Sequence, residues 1–123
     1  MQERWPVILD ELKRLRRTLG WSLQGFGAAW RSQKSLRQWT ALNVASAALA
    51  FWLPLTAGER ALILALGLLV LAAEILNTAI EAIVDLVSPE QHRLAGLAKD
   101  CGSAGVMLTA IAGGMAWLAI LLG

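Results

Sequence analysis

The stretch from Ala61 to Pro89, "ALILALGLLVLAAEILNTAIEAIVDLVSP", decides how this chain must be read. Its first part, Ala61 to Ala73, carries no charge and no strong hydrogen-bonding side chain. Glu74, Asn77, Glu81 and Asp85 then arrive in quick succession on the same greasy segment. At 100° per residue these four and Thr78 share an arc of about 100°, one face of one helix. Glu74 and Asp85 stand about 16 Å apart along such an axis. An ionised carboxylate at mid-membrane costs about 3 kcal/mol on insertion scales. Glu74 must then be protonated, paired, or turned toward a wet cavity, which suits a group that takes up a proton.

A polar seam that merely joins helices uses Ser, Thr, Asn or Gln at lower cost than Glu. Several acids on one face therefore favour function: a proton path or a divalent cation. Mg²⁺ takes oxygen ligands, often one or two carboxylates with the rest from substrate phosphates. Lys99 and Asp100 open the next apolar segment at the same membrane face. A lysine there can hold a phosphate as a point charge, although a lone lysine at a helix end commonly just snorkels. Together the groups suit phosphoryl transfer, in which positioning and charge neutralisation supply most of the catalysis.

Composition places the rest. Apolar residues make up 57% of the 123 residues and charged ones 16%, well below the usual quarter. The apolar residues fall in long blocks, as in an integral membrane protein. The single Cys101 has no intrachain partner, and no metal-type cysteine spacing occurs. A net charge of +2 gives no bulk support for nucleic-acid binding. No secretory signal is expected, because the first residues mix acids with many bases and no short apolar core with a cleavage site follows.

Three membrane-crossing segments are expected, at about 36–53, 60–87 and 101–122. A crossing helix needs roughly 20 mostly apolar residues, so the first is short and the second generous. Ahead of them, "WPVILDELKRLRRTL" places Ile8, Leu12, Leu15 and Leu19 on one helical face. Lys13, Arg14, Arg16 and Arg17 crowd the others, the pattern of a helix lying on an anionic phospholipid surface; a soluble cap on a small bundle is the plainer alternative. The following Gly20–Trp30 piece, with Gly20, Gly25 and Gly27, is expected to be a weak or bent helix, completing an interfacial region over about 5–30. Its "GFG" lacks the context of a phosphate loop. "PLTAGER" is expected as a tight hairpin broken by Pro54 and Gly58, and "SPEQHRLAGLAKD" as a longer polar connection.

Lys and Arg residues crowd the N-terminal side, Arg93 and Lys99 lie in the second connection, and Arg60 alone lies in the first. The positive-inside rule then puts the N-terminus in the cytoplasm and the C-terminus outside. Trp39, Trp52 and Trp117 fall where an aromatic belt would place them. Small residues recur on two lines of the last segment: Cys101, Gly105, Thr109, Gly113, and Gly102, Val106, Ala110, Gly114. Such lines let membrane helices approach closely, and three short helices alone make a poor bundle, which points to an oligomer.

The motif "AEILNTAIEAIVD", followed by His92 and by "LAKDCGSAGV", resembles the small prokaryotic integral-membrane diacylglycerol kinases and the related undecaprenol kinases. The resemblance runs from about Arg14 to the C-terminus and includes "AAW" at 28–30 and "LRQ" at 36–38. It implies an all-α integral membrane fold: one domain over 1–123, with an N-terminal interfacial helix, three transmembrane helices and a homotrimer. It implies composite active sites between subunits at the cytoplasmic face of the bacterial inner membrane. The activity implied is transfer of the γ-phosphate of Mg-ATP to a lipid hydroxyl, diacylglycerol giving phosphatidic acid, or undecaprenol. By position, Glu74 is then the general base and Asn77 its orienting partner. Glu81 binds Mg²⁺ and Lys99 the β- and γ-phosphates. Arg14, Ser22, Asp85, Glu90, His92 and Asp100 surround ATP. The partners implied are a membrane lipid, ATP and further copies of the chain.

The sequence departs from that pattern at Gln33, where the family has a metal-binding Glu. Gln33 offers a neutral oxygen in place of a charged one. Trp39 also replaces an acid common in the bacterial diacylglycerol group. A non-catalytic relative that binds nucleotide or lipid is the alternative that Gln33 supports. A proton-linked transporter subunit accounts for Glu74 but leaves Lys99 and Asp100 idle. The choice of lipid alcohol is not written in the generic Leu, Ala and Val of the lipid-facing surface.

Overall fold

The computed structural model describes residues 3–123. Four α-helices and no strand occur among them. They form two compact units: one ends at Ser32 and holds α1, and the other is Gln33–Gly123.

α1 spans Arg4–Ser32 without interruption, so the weak or bent segment expected at Gly20–Trp30 is instead regular helix. Each helical glycine costs about 1 kcal/mol relative to alanine, but the residues between are good or aromatic helix partners. Phe26 and Trp30 stack one turn apart, with ring centroids 6.2 Å apart. Thr18 and Ser22 donate their hydroxyls to the carbonyls of Arg14 and Thr18, one turn back, satisfying polar groups within the helix. Ile8, Leu12, Leu15 and Leu19 are exposed, as are the other faces of this part of α1.

In the second unit, α2 spans Lys34–Trp52, α3 Ala57–Val87 and α4 Arg93–Leu122. α3 packs against both α2 and α4. Two of these, α3 and α4, are long and apolar enough to cross a membrane. α2 forms where the first crossing segment is expected, but its 19 residues begin with Lys34, Arg37 and Gln38 and do not reach the same standard. The outer faces of α3 and α4 expose Leu68, Leu76, Ile83, Leu108 and Leu118. Apolar surface on this scale needs lipid or protein to cover it, and the chain is a membrane protein.

The α2–α3 connection is short because each end is capped. Thr56 and Glu59 form a reciprocal capping box: Glu59 N–H donates to Thr56 Oγ1 and Thr56 N–H to Glu59 Oε1. Gly58 therefore lies inside the first turn of α3, and Pro54 alone acts as the breaker. Arg60 Nε donates to the Ala50 carbonyl at 2.9 Å, and its guanidinium sits 5.2 Å from the Phe51 ring centre. It thus neutralises a carbonyl left unpaired at the end of α2. Beneath it, Ala50, Ile63 and Ala116 form a sealed core against Leu55, Leu66, Trp117 and Ile120.

The second connection is much shorter than the polar loop expected over 88–100. α4 starts at Arg93, so Lys99 and Asp100 are helical. His92 is the reason: its Nδ1 accepts from Leu94 N–H at 3.1 Å and caps the helix.

Candidate active site

α3 carries the site, and its antiparallel neighbours meet it level by level. Ile63 packs with Ala50 and Ala116 at one end. Farther along, a Cβ at Gly67 would strike Asn43 Oδ1, so α2 comes close there. Next come Glu74 and Asn77. Near the other end Lys99 Nζ lies 2.6 Å from Asp85 Oδ1. The arc drawn by Glu74, Asn77, Glu81 and Asp85 thus faces α4 along most of its length.

Glu74 is 6% exposed and Asn77 9%. Both open on a cleft of about 470 Å³, walled by Trp39 of α2 and by α4 from Ser103 to Ile111. The Glu74 carboxylate has no hydrogen-bond partner among the described residues. The side chain is thus unpaired within the described residues and turned toward a cleft.

Asn77 is fixed on both sides. Its Nδ2 donates to Glu81 Oε1 at 3.3 Å. Its Oδ1 is the buried side-chain polar atom without a partner among the described residues. That oxygen lies against Gly102, where a Cβ would collide with it. Glycine permits this approach because it lacks the side chain that would block it.

Beyond Glu81, a second cleft of about 530 Å³ opens around the 88–92 connection. Asp85, Glu90, His92 and Lys99 line it. Four of the expected nucleotide-contacting residues are therefore brought together. Asp100 is exposed at the next position and has no polar partner among the described residues. Arg14 and Ser22 lie on α1, in the other unit: Arg14 pairs with Glu11 at 2.9 Å and Ser22 bonds within its helix. Gln33 stands at the N-cap of α2 in extended conformation, and its side chain makes no capping bond.

No three His, Cys, Asp or Glu side chains converge as a ready metal site among the described residues. A Mg²⁺ ion held by one or two carboxylates and substrate phosphates does not need such a cluster. Glu81 fits that role: it is half-buried, one helical turn from Asp85 at the edge of the second cleft, with one oxygen held by Asn77 as outer-shell partners hold metal ligands.

Trp39, Gly102, Ser103 and Met107 are parts of the site that the sequence reading did not assign. Periodicity offered a signal for the α4 residues, since Ser103, Val106, Met107, Ala110 and Ile111 follow one helical stripe. For Trp39 the signal was its departure from the acid common in the bacterial diacylglycerol group, which marks the position without saying what the tryptophan does; near a helix end it reads equally well as a belt residue. Trp52 is exposed as such a residue would be, whereas Trp117 is half-buried and donates Nε1–H to Ser46 Oγ at 2.8 Å. Of the small-residue lines, Gly102 meets α3 and Val106 is buried, while Gly105, Gly113 and Gly114 face open space.

Fold and site define a helical membrane protein that carries Glu74, Asn77, Glu81 and Asp85 along one face of an apolar helix, against α4. Residues 20–121 match the family model for prokaryotic diacylglycerol kinase. Relatives with that name are similar over nearly the whole chain. The diacylglycerol kinase of Pseudomonas aeruginosa is 50% identical over 114 residues, 91% of each chain. That of Escherichia coli K12 is 38% identical over 108 residues, 88% of each. That of Haemophilus influenzae is 39% identical over 101 residues, 82% of this chain and 86% of its own. The chain belongs to the prokaryotic diacylglycerol kinase family and is an enzyme of that family.

Proposed function

We propose that this chain transfers the γ-phosphate of ATP, with Mg²⁺, to the hydroxyl of diacylglycerol and releases phosphatidic acid. The observation that carries this reading is the pairing of two clefts on one helix face. Glu74 and Asn77 serve the lipid side, Asp85, Glu90, His92 and Lys99 serve the nucleotide side, and Glu81 stands between.

Glu74 takes the proton from the lipid hydroxyl as that oxygen bonds to the γ-phosphorus; the bond from phosphorus to the β–γ bridging oxygen breaks and ADP leaves. General-base help of this kind contributes about 10²–10⁴-fold. Asn77 holds Glu81 in register. Lys99 exchanges Asp85 for the phosphates, a point charge suited to anionic oxygens. Bound Mg²⁺ supplies neutralisation of phosphate charge, with Glu81 and Gln33 as the protein oxygens that would hold it. Arg14, Ser22 and Asp100 complete the nucleotide surroundings in this proposal.

The same reading makes α2 a third crossing helix, places the N-terminus in the cytoplasm of a bacterial inner-membrane protein, and lays α1 on anionic lipid. The two units then work as one domain. A homotrimer would cover the open glycines of α4 and bring further groups to each site.

Purified protein in mixed micelles with Mg-ATP and diacylglycerol should form phosphatidic acid, and Glu81→Ala should remove that activity with helicity intact. Absence of turnover in the unmodified protein would overturn the assignment. Gln33→Glu adds a charged oxygen to the metal position and should lower the Mg²⁺ concentration for half-maximal rate; an unchanged Mg²⁺ dependence would remove Gln33 from the metal site.

A further inference from the structure

The cleft at Glu74 is polar at one side and greasy along its length. On α4 the lining stripe begins at Ser103, beside the level of Asn77, and continues through Val106, Met107, Ala110 and Ile111. Eight residues of helix carry it about 12 Å away from the polar end. This gradient matches an alcohol whose hydroxyl stays at Glu74 while its hydrocarbon follows α4.

Trp39 closes the α2 side of this cleft. Two tryptophans in this unit are half-buried, and they differ in one respect. Trp117 gives its indole N–H to Ser46 at 2.8 Å. Trp39 Nε1 has no partner among the described residues, and it is not among the atoms sealed from outside. A buried or membrane-embedded indole N–H ordinarily finds an acceptor. The backbone beneath Trp39 is held in place, since Asn43 Nδ2 donates to its carbonyl at 2.9 Å while Asn43 Oδ1 lies against Gly67. Trp39 therefore borders, from an anchored backbone, the cleft in which the acceptor hydroxyl is to react, and its indole N–H is unspent.

We propose that Trp39 is a specificity-determining residue that reads the acyl ester of the acceptor, donating its Nε1–H to an ester carbonyl while Glu74 engages the hydroxyl. The inference rests on the assignment of Glu74 and its cleft to the lipid acceptor. It names the substrate class: a glycerol ester has a carbonyl a few bonds from its free hydroxyl, and a polyisoprenoid alcohol has none. An esterified acceptor offers the indole N–H a carbonyl oxygen, whereas an ether offers only a weaker, displaced ether oxygen and a polyprenol none beyond its reacting hydroxyl. Leaving a donor unpaired in a desolvated site is the more costly outcome.

The test compares dioleoylglycerol with its ether analogue, 1,2-di-O-oleylglycerol, at saturating Mg-ATP in mixed micelles. The two share shape and chain length and differ in the carbonyls. The unmodified protein should favour the ester by roughly three- to tenfold in kcat/KM, the worth of one hydrogen bond. Trp39→Phe keeps an aromatic wall but removes the donor, and should bring the ratio close to one while leaving the KM for ATP unchanged. A short polyprenol should be a poorer acceptor than the ester and should be insensitive to Trp39→Phe. Equal use of ester and ether by the unmodified protein overturns the proposal, even if the variant does not fold. So does an unchanged ratio in a folded Trp39→Phe. Failure of the underlying assignment looks different: Glu74→Gln would then remain fully active on every acceptor, whatever the ester-to-ether ratio.

Discussion

The two ends of the α2–α4 unit use the same kinds of side chain in opposite ways. At the end near the α2–α3 connection, polar groups are consumed by the fold. Arg60 binds backbone carbonyls, Glu59 and Thr56 cap each other, and Trp117 bonds Ser46. At the other end, the groups are held in position but left incompletely satisfied. Glu74 faces a cleft without a partner, Asn77 Oδ1 has no hydrogen bond, and Trp39 Nε1 is unspent. The first end shows what a membrane protein does with polarity it must neutralise. The second shows polarity kept for something that binds.

The largest expected break in this contrast is at Glu74. Glu74→Gln keeps shape and removes the base, so phosphorylation of diacylglycerol should fall about 10²-fold or more, with helicity by circular dichroism unchanged. A fully active variant would move Glu74 to the structural side of the comparison.

Gly102 and Gly105 give the next contrast, one turn of α4 apart. Gly102→Ala forces Asn77 from its place against α4 and away from Glu81. Overpacking of this kind costs about 1–3 kcal/mol, so both thermal stability in detergent and activity should drop. Gly105→Ala meets nothing within the chain and should leave the monomer's stability equal or slightly higher, as alanine favours helix. If assembly covers that face, the same variant should instead lower the oligomer fraction seen by light scattering.

Smaller effects belong to the sealed end. Ser46→Ala strands the Trp117 indole N–H and should lower unfolding stability by about 1 kcal/mol while leaving the acceptor profile unchanged. Thr56→Ala removes half of the capping box and should cost about 0.5–1 kcal/mol, again without altering kcat. A change in lipid preference from either variant would show that the two ends are not independent.

Much of the acid face was legible because a helix fixes angular spacing: Glu74, Asn77, Glu81 and Asp85 had to share one side wherever the chain folded. The expected segment at 60–87 likewise became α3, Ala57–Val87. The loop ends were harder. His92 caps α4 through a side-chain nitrogen, a local device whose residue is ambiguous in sequence, and so α4 began earlier than apolar content suggested. Gly20, Gly25 and Gly27 argued against a regular helix that nevertheless forms, because propensity is a small term that neighbouring residues can outweigh.

The sequence by itself determined which residues share a helix face, how apolar the segments are, and which family pattern they resemble, since all three follow from order along the chain. Only the tertiary structure decided that Gly102 receives Asn77, that Trp39 rather than another aromatic borders Glu74, and that one indole is spent on Ser46 while another is not. Those facts depend on how neighbouring helices align, and alignment between distant segments is set by packing, which no local spacing contains.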